Sequence, residues 1–405
     1  MKAVVFHGIG DVRLETVPDP GIQKPTDAIV RLTASAICGT DLHFIRGTMP
    51  GVKEGRILGH EGVGVVEEVG DWVRNFRPGQ RVVIGSTIAC GTCSYCRAGY
   101  TSQCDNANPN APTTAFYGGP EEAGGFDGLQ AELARIPYGN VNMVAIPGEV
   151  TDDQAILISD IFPTGYQAAV QAEIREGDVV AVFGCGPVGQ FAIASARLQG
   201  AGRVIAVDAI GDRLEAAQAQ GAEIVDYERD HPVEFIKEMT RGIGPDRVID
   251  AVGVDAEPPQ GGPAAAEAGE QSERFAQQVD QLTPERTAGN GQWKPGSAPS
   301  QALDWAVQCV AKAGTLSIIG VYPPAMETFP IGQAMMKNLA VKAGNCDHRR
   351  YIPRLLELVR TGAVDPTAIV SQRRPLTSAI EAYEAFDRRD EGWLKVKLEP
   401  AGAAV

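Results

Sequence analysis

Apolar positions along this chain come in short runs, and their spacing changes near the middle. Between residues 2 and 147 the runs at 28–36, 64–68 and 81–84 are strand-length and separated by Gly- and Pro-containing turns, which predicts a β-rich, barrel-like first domain. After residue 160, runs at 178–183, 203–208, 222–225, 247–251, 315–319 and 339–343 alternate with amphipathic stretches such as 188–198, 213–220 and 302–311. Six short apolar strands interleaved with helices predict a parallel, doubly wound sheet, because parallel neighbours need a crossover and the crossover is usually a helix. From about residue 345 the pattern returns to mixed helix and strand. The predicted class is α/β, with one domain built from 1–155 and 344–405 and a second from 156–343.

The segment 255–300 breaks this rhythm. It is dense in Ala, Gly, Pro and Gln and separates the fourth predicted strand of the sheet from the next helix. So long a loop inside a compact domain is either a functional cover or a disordered insertion, and 264–281 has the pattern of a helix. No internal repeat is visible.

Composition narrows the function classes. The 405 residues carry 36 Lys and Arg against 51 Asp and Glu, a formal charge of −15, and no basic cluster, which disfavours nucleic acid as a partner. An apolar fraction of 44% with 21% charged residues suits a soluble globular chain. No apolar run approaches bilayer-spanning length, so no membrane role is expected. The first ten residues alternate like a strand and lack the features of a secretory leader, so the expected location is cytoplasmic.

The eight cysteines are unevenly spread. Cys90, Cys93, Cys96 and Cys104 fall within fifteen positions, a spacing that lets one loop wrap a single ion; in a long intracellular chain this favours a closed tetrahedral zinc site over disulfides or an iron–sulfur cluster. Such a site holds a loop and does no chemistry. A second signal is Gly184-Cys185-Gly186-Pro187-Val188-Gly189, between an apolar strand and a helix. Three glycines at these spacings are weak evidence alone, but the strand–turn–helix context and Asp208 at the end of the next strand make a dinucleotide site. Gly184, Gly186, Pro187, Val188 and Gly189 would let the backbone and helix N-terminus approach a pyrophosphate, with Arg213 close behind. Asp208 would accept from the adenosine ribose hydroxyls and repel a 2′-phosphate, which selects NAD.

A third signal is distributed over Cys38-Gly39-Thr40-Asp41-Leu42-His43, Gly59-His60-Glu61 and Ser159-Asp160. Each piece alone could be structural. In combination and order, however, these segments, the four-cysteine loop and the glycine motif make the chain similar over nearly its whole length to the zinc-dependent medium-chain alcohol dehydrogenases. The resemblance implies a chaperonin-10-like (GroES-like) β-barrel catalytic domain, a six-stranded Rossmann domain, an active site in the cleft between them, and a dimer or tetramer. It also implies a catalytic zinc on Cys38 and His60. The stretch from Ser159 to Tyr166 resembles the branch containing the glutathione-independent formaldehyde dehydrogenases, which makes Asp160 the third ligand and Glu61 a competing ligand or a residue behind the ligands. Thr40 and His43 would relay the alcohol proton to solvent, and NAD would take the hydride.

The expected activity is interconversion of a small alcohol with its aldehyde or ketone, with formaldehyde oxidation or aldehyde dismutation as the branch-specific form. A polyol or amino-alcohol dehydrogenase is the alternative within the class, and a non-catalytic zinc and NAD sensor lies outside it. Other residues receive plainer readings. Asp347 in Asn345-Cys346-Asp347-His348 suits a helix cap; Cys185 and Cys309 suit packing; Trp72, Trp305 and Trp393 suit core positions. Lys395 suits a cofactor phosphate or open solvent, and Phe44, Tyr117 and Phe126 suit the substrate pocket.

Overall fold

The computed structural model describes residues 1–109, 113–284 and 292–401. The chain divides into two compact units, one of Met1–Pro163, Arg286–Trp293 and Asn345–Val405, the other of Thr164–Glu285 and Lys294–Gly344. The sequence pattern alone put the changes at 155/156 and 343/344; the first contact boundary lies inside the helix Ile161–Gln171.

In the first unit the long strand Ala28–Ile37 is the hub. It pairs antiparallel with Val396–Glu399, Gly62–Val69 and Leu133–Ile136, and the sheet continues through Arg81–Ile84 to Met143–Ala145. Its central residues are buried, including Val30, Leu32 and Ala34; Gly62–Val69, Leu133–Ile136, Arg81–Ile84 and Met143–Ala145 share an apolar core with it, while Val396 and Leu398 pack with Ile37 in a second. The register brings three strand ends level with one another. Ile37 opposes Val396, and Ser35 opposes Gly62. Cys38, Glu61 and Lys395 each stand one residue beyond a paired position, so the neighbouring ends present them together.

Cys38 also starts the helix Gly39–Arg46. Asp41 three residues on accepts from the Cys38 backbone N–H at 3.0 Å, the reciprocal arm of a capping box, and Gly47 in the left-handed region (φ 80°) ends the helix. A second capped helix, Asp152–Ile158, begins at Thr151 with Gln154 reciprocating. It ends at the Ser159–Asp160 turn, where the next helix begins.

The second unit contains, among the described residues, six parallel strands in the order Glu223–Asp226, Arg203–Asp208, Val179–Phe183, Arg247–Asp250, Thr315–Ile318, Ala340–Ala343. Strands covered on both faces need no polar alternation, and Val180, Ala181, Val182 and Phe183 are all buried. The insertion folds as two helices, Ala264–Glu270 and Ser272–Leu282, where one helix was expected over 264–281. Both belong to the second unit and are tied into it. Gly261 N–H donates to Glu228 at 2.8 Å, His231 meets Glu267 at 2.8 Å, Arg274 meets Asp304 at 2.5 Å, and Phe275 is buried. Residues 285–291 of the insertion lie outside the described residues.

Candidate zinc and nucleotide sites

None of the eight cysteines is in a disulfide. The sulfur atoms of Cys90, Cys93, Cys96 and Cys104 lie within 4.8 Å of one another, with Cys93 and Cys104 4.0 Å apart. A tetrahedral ion with Zn–S bonds of about 2.3 Å sets its sulfurs about 3.8 Å apart, so the four thiols fit zinc. Backbone N–H groups already point at the sulfurs: Thr92 and Cys93 reach Cys90 at 3.3 Å, and Cys90 reaches Cys104 at 3.2 Å. Burial raises the Cys90 thiol, but the hydrogen bonds from Thr92 and Cys93 outweigh it and bring the pKa down to about 6. Against burial, backbone hydrogen bonds lower Cys93 as well, whereas burial pushes Cys96 and Cys104 up, so those two thiols would give up their protons to a metal on binding.

The second donor set is fully inside the first unit. Cys38 Sγ lies 3.6 Å from Asp160 Oδ2, and His60 Nε2 lies 3.2 Å from the same oxygen. Tetrahedral zinc with ordinary ligand bonds would set such S···O and N···O pairs about 3.5 and 3.3 Å apart. The three residues therefore fit one ion, and Glu61 belongs to the same cluster. The remaining atoms of the donors are held from behind. Asp41 Oδ1 stands 3.0 Å from His60 Nδ1, directing the other ring nitrogen to the cluster. Asp41 Oδ2 takes Gln130 Nε2–H at 3.3 Å, and Gln130 Oε1 accepts from the Tyr383 hydroxyl at 2.7 Å. Gly59, at φ 89°, leaves the room this needs, since a Cβ there would fall 2.4 Å from Gln130 Cγ.

The charges on these groups have clear causes. Burial pushes the Cys38 thiol up, with His60 opposing. Burial would lower His60, but the carboxylates of Asp41 and Asp160 prevail and hold it well above its ordinary value. Asp160 is raised by burial and lowered more by hydrogen bonds from His348 and His60, ending well below the usual carboxylate range. Both oxygens of Glu61 lie within 2.7 Å of the Lys395 ammonium, yet burial lifts Glu61 to about 7.

Several residues correct expectations from the sequence. Lys395 is neither a phosphate ligand nor solvated: it is 1% exposed and paired with Glu61. Asp347 occupies the N-cap position of the helix His348–Arg360 without capping it; its carboxylate accepts from Ser102 N–H at 2.8 Å, while His348 Nε2 reaches Asp160 Oδ1 at 2.8 Å. Tyr117 fills the core of the first unit, with Phe126 packed against that core. Phe116 takes the neighbouring position instead, edge-on to the His60 ring at 6.4 Å and stacked on Phe44 at 5.8 Å. Trp72 is exposed, whereas Trp305 is core.

Thr40 Oγ1 lies 3.9 Å from Cys38 Sγ, and His43 sits one turn further along the same helix, buried, with Nδ1 2.7 Å from Thr48 Oγ1. In the second unit, Gly184 (φ 85°) turns the chain out of its strand, Gly186 caps the helix Pro187–Leu198, and Pro187 occupies its first turn with Val188. A Cβ on Gly189 would stand 1.8 Å from the Gly184 carbonyl oxygen, so this loop closes only with glycine. Asp208 is wired to the loop: Oδ2 accepts from Cys185 N–H at 2.7 Å, and Oδ1 from Ala209 and Ile210 N–H at 2.8 and 3.0 Å. Oδ2, with one donor, retains acceptor capacity. An Arg213 nitrogen comes within 3.7 Å of where a Gly186 side chain would begin.

Residues 24–148 match the family model of the alcohol dehydrogenase GroES-like domain, and residues 187–269 match that of the zinc-binding dehydrogenases. The zinc-type alcohol dehydrogenase-like protein AdhB of Bacillus subtilis is 39% identical over 404 residues, covering 99% of this chain and 100% of its own length. The glutathione-independent formaldehyde dehydrogenase of Pseudomonas aeruginosa is 32% identical, covering 95% and 94%. Among solved structures, the alcohol dehydrogenase TADH from Thermus sp. ATN1 superposes with a TM-score of 0.80 at 34% identity, covering 99% of this chain and 100% of its own. With its GroES-like domain, its Rossmann-type parallel sheet and two donor clusters that fit zinc, the chain belongs to the zinc-type alcohol dehydrogenases of the medium-chain family.

Proposed function

We propose that this enzyme uses NAD to interconvert a small alcohol and its aldehyde or ketone, with one zinc on Cys38, His60 and Asp160 and a second on Cys90, Cys93, Cys96 and Cys104. The observation that carries the reading is the convergence of one thiol, one imidazole nitrogen and one carboxylate oxygen at ligand-to-ligand separations, with Glu61 beside them held by Lys395. Three protein donors leave a fourth position for a substrate oxygen. When bound, zinc supplies Lewis acidity toward that oxygen, and NAD supplies the hydride acceptor.

The chain's own residues do the rest. Phe44 and Phe116 present an apolar wall beside His60, which suits a small organic substrate. Thr40 Oγ1 accepts the alcohol proton and passes it toward His43, whose contact with Thr48 fixes the ring. Asp208 receives the ribose hydroxyls, and the loop from Gly184 to Gly189 admits the pyrophosphate backbone.

Within the class we favour the formaldehyde dehydrogenase branch, supported by a carboxylate as third donor and by the Pseudomonas aeruginosa relative of that name. The insertion would slow NAD exchange and permit dismutation, in which one aldehyde is oxidised as another is reduced on the same cofactor. Polyol and amino-alcohol dehydrogenation are the competing outcomes. The test is a panel of small alcohols, polyols and aldehydes assayed with NAD and NADP, following net NADH and cofactor-neutral dismutation, with zinc counted in parallel. No turnover by protein carrying two zinc ions would leave a zinc and NAD sensor and refute the assignment.

We also assign a homo-oligomer, dimer or tetramer. Strand Ala340–Ala343 ends the parallel sheet, and Ile331, Met335, Met336 and Val341 are exposed beside or on it. Light scattering on the purified protein checks this. Eight cysteines outside any disulfide suit the cytoplasm, and no helix among the described residues is long and apolar enough to cross a membrane.

A further inference from the structure

Asp160 stands in the turn between two helices, where a carboxylate has no backbone ladder to fix its direction. Its Oδ1 is nevertheless held by two side chains, His348 Nε2 at 2.8 Å and Ser86 Oγ at 3.2 Å, which leaves Oδ2 facing Cys38 Sγ and His60 Nε2. His348 is itself constrained. Thr87 Oγ1 lies 3.1 Å from its Nδ1 and 3.3 Å from the Cys346 carbonyl, and a Cβ at Gly85 would come within 3.1 Å of the His348 Cβ, so Gly85 permits the close approach of the base of this side chain.

The helix that begins with His348 is pinned to the four-cysteine loop. Asp347 takes the Ser102 N–H at 2.8 Å and the Thr101 hydroxyl at 3.3 Å, and both of those residues lie between Cys96 and Cys104. Asn345 Nδ2 donates to Thr114 Oγ1 at 2.7 Å. A continuous set of contacts therefore runs from the structural thiol cluster through Asp347 and His348 to the carboxylate of the other metal set.

We propose that His348 is the positioning residue that holds Asp160 as a zinc donor, and that the four-cysteine loop braces His348 through Asp347. The proposal rests on Asp160 being a catalytic zinc ligand. A carboxylate free to rotate about its side-chain torsions would offer the ion a donor only part of the time, and partners behind a ligand typically set about 10- to 100-fold of metal affinity. This gives the structural loop a reach beyond its own fold: a change there loosens the distant donor.

The experiment compares fully zinc-loaded wild type with His348→Ala, His348→Gln, Asp347→Ala and Asp160→Ala. The readouts are the release of each of the two zinc ions to a chelating dye and the visible spectrum after cobalt replaces the catalytic zinc. His348→Ala is expected to release the catalytic zinc about 10- to 100-fold more readily, keep the structural zinc, and shift the cobalt bands. His348→Gln, which restores an N–H donor near the Nε2 position, should recover most of both. Asp347→Ala should produce a smaller loss at the catalytic ion with the structural zinc retained. Wild-type zinc retention and cobalt spectrum in His348→Ala, with loss in Asp160→Ala, would overturn the proposal. Retention in Asp160→Ala as well would overturn the donor assignment instead. If His348→Ala sheds both ions together, the Gln variant decides: failure to restore catalytic zinc there would also overturn the proposal.

Discussion

Replacing Lys395 by Met tests whether the Glu61–Lys395 pair is an isolated buried ion pair. Both side chains are essentially inaccessible, and both carboxylate oxygens touch one ammonium. Removing one partner of such a pair costs about 3–5 kcal/mol, because the other charge stays buried and uncompensated. At roughly 2–4 °C per kcal/mol for a unit of this size, the melting temperature should fall by roughly 6–20 °C. The loss should also depend on pH in a defined sense. Burial already lifts Glu61 to about 7 in the presence of the lysine, and without it the value rises further. A folded-state value above the unfolded one makes the folded state bind the extra proton, so stability declines as pH rises through that window. The penalty of Lys395→Met should therefore be larger at pH 8 than at pH 6. Scanning calorimetry of wild type, Lys395→Met, Glu61→Gln and the double variant at both pH values measures it, and the double variant should regain much of the loss. A penalty under about 1 kcal/mol at pH 8, or one that grows on acidification, would refute the reasoning. So would an unchanged melting temperature with an altered cobalt spectrum, since Glu61 would then have moved to the metal.

Asp208→Asn keeps one of the two oxygens that accept from backbone N–H groups, turns an amide N–H toward the other donors, and removes the charge that would meet the ribose; the KM for NAD should rise about 10- to 100-fold and the preference for NAD over NADP should shrink, by steady-state kinetics with both cofactors. Gly189→Ala puts a methyl group against the Gly184 carbonyl oxygen and should destabilise the second unit by about 1–3 kcal/mol and abolish NAD binding, by calorimetry and fluorescence titration. Asp153 is raised by partial burial but lowered more by Lys397 at 2.5 Å and Arg373 at 2.9 Å, so its folded pKa is depressed. Its stabilisation is complete above about pH 4 and lost as pH falls through the depressed value; Asp153→Asn should melt lower than wild type at pH 6 and converge with it toward pH 3.

The two units differ in how much of them the sequence discloses. The inner strands of the parallel sheet are covered on both faces and alternate with helices, so continuous apolar runs such as Val179–Phe183 mark strands, and the glycine loop marks the edge where a nucleotide would bind. Pairing in the first unit is non-local. Ala28–Ile37 meets a strand more than 350 residues later, and nothing in either segment states that register. The insertion shows the same limit: Arg274 on its second helix finds Asp304 and Ser300, a contact that composition does not encode.

The proposed zinc donors could be named from the sequence through the resemblance, because the motif residues that carry it are neighbours in the chain: Cys38, Thr40, Asp41 and His43 lie on one helix start, and His60 and Glu61 immediately before one strand. Their partners, Lys395, His348, Gln130 and Tyr383, lie far along the chain in contexts that suggest something else. Lys395 alternates with Leu394 and Val396, so strand periodicity assigns it to the outer face; here that face is buried too. A different rule could have pointed to it. A motif that places Asp41, Glu61 and Asp160 in an apolar interior cannot stand without buried cations or donors, since an unpaired buried carboxylate is too costly to keep ionised. His60, together with the proposed zinc, answers part of that demand, and a lysine preceding the last strand and a histidine opening a late helix answer the rest. A buried acidic motif thus implies a search for lone basic residues at strand and helix ends elsewhere in the chain, and Lys395 and His348 are what that search would have returned.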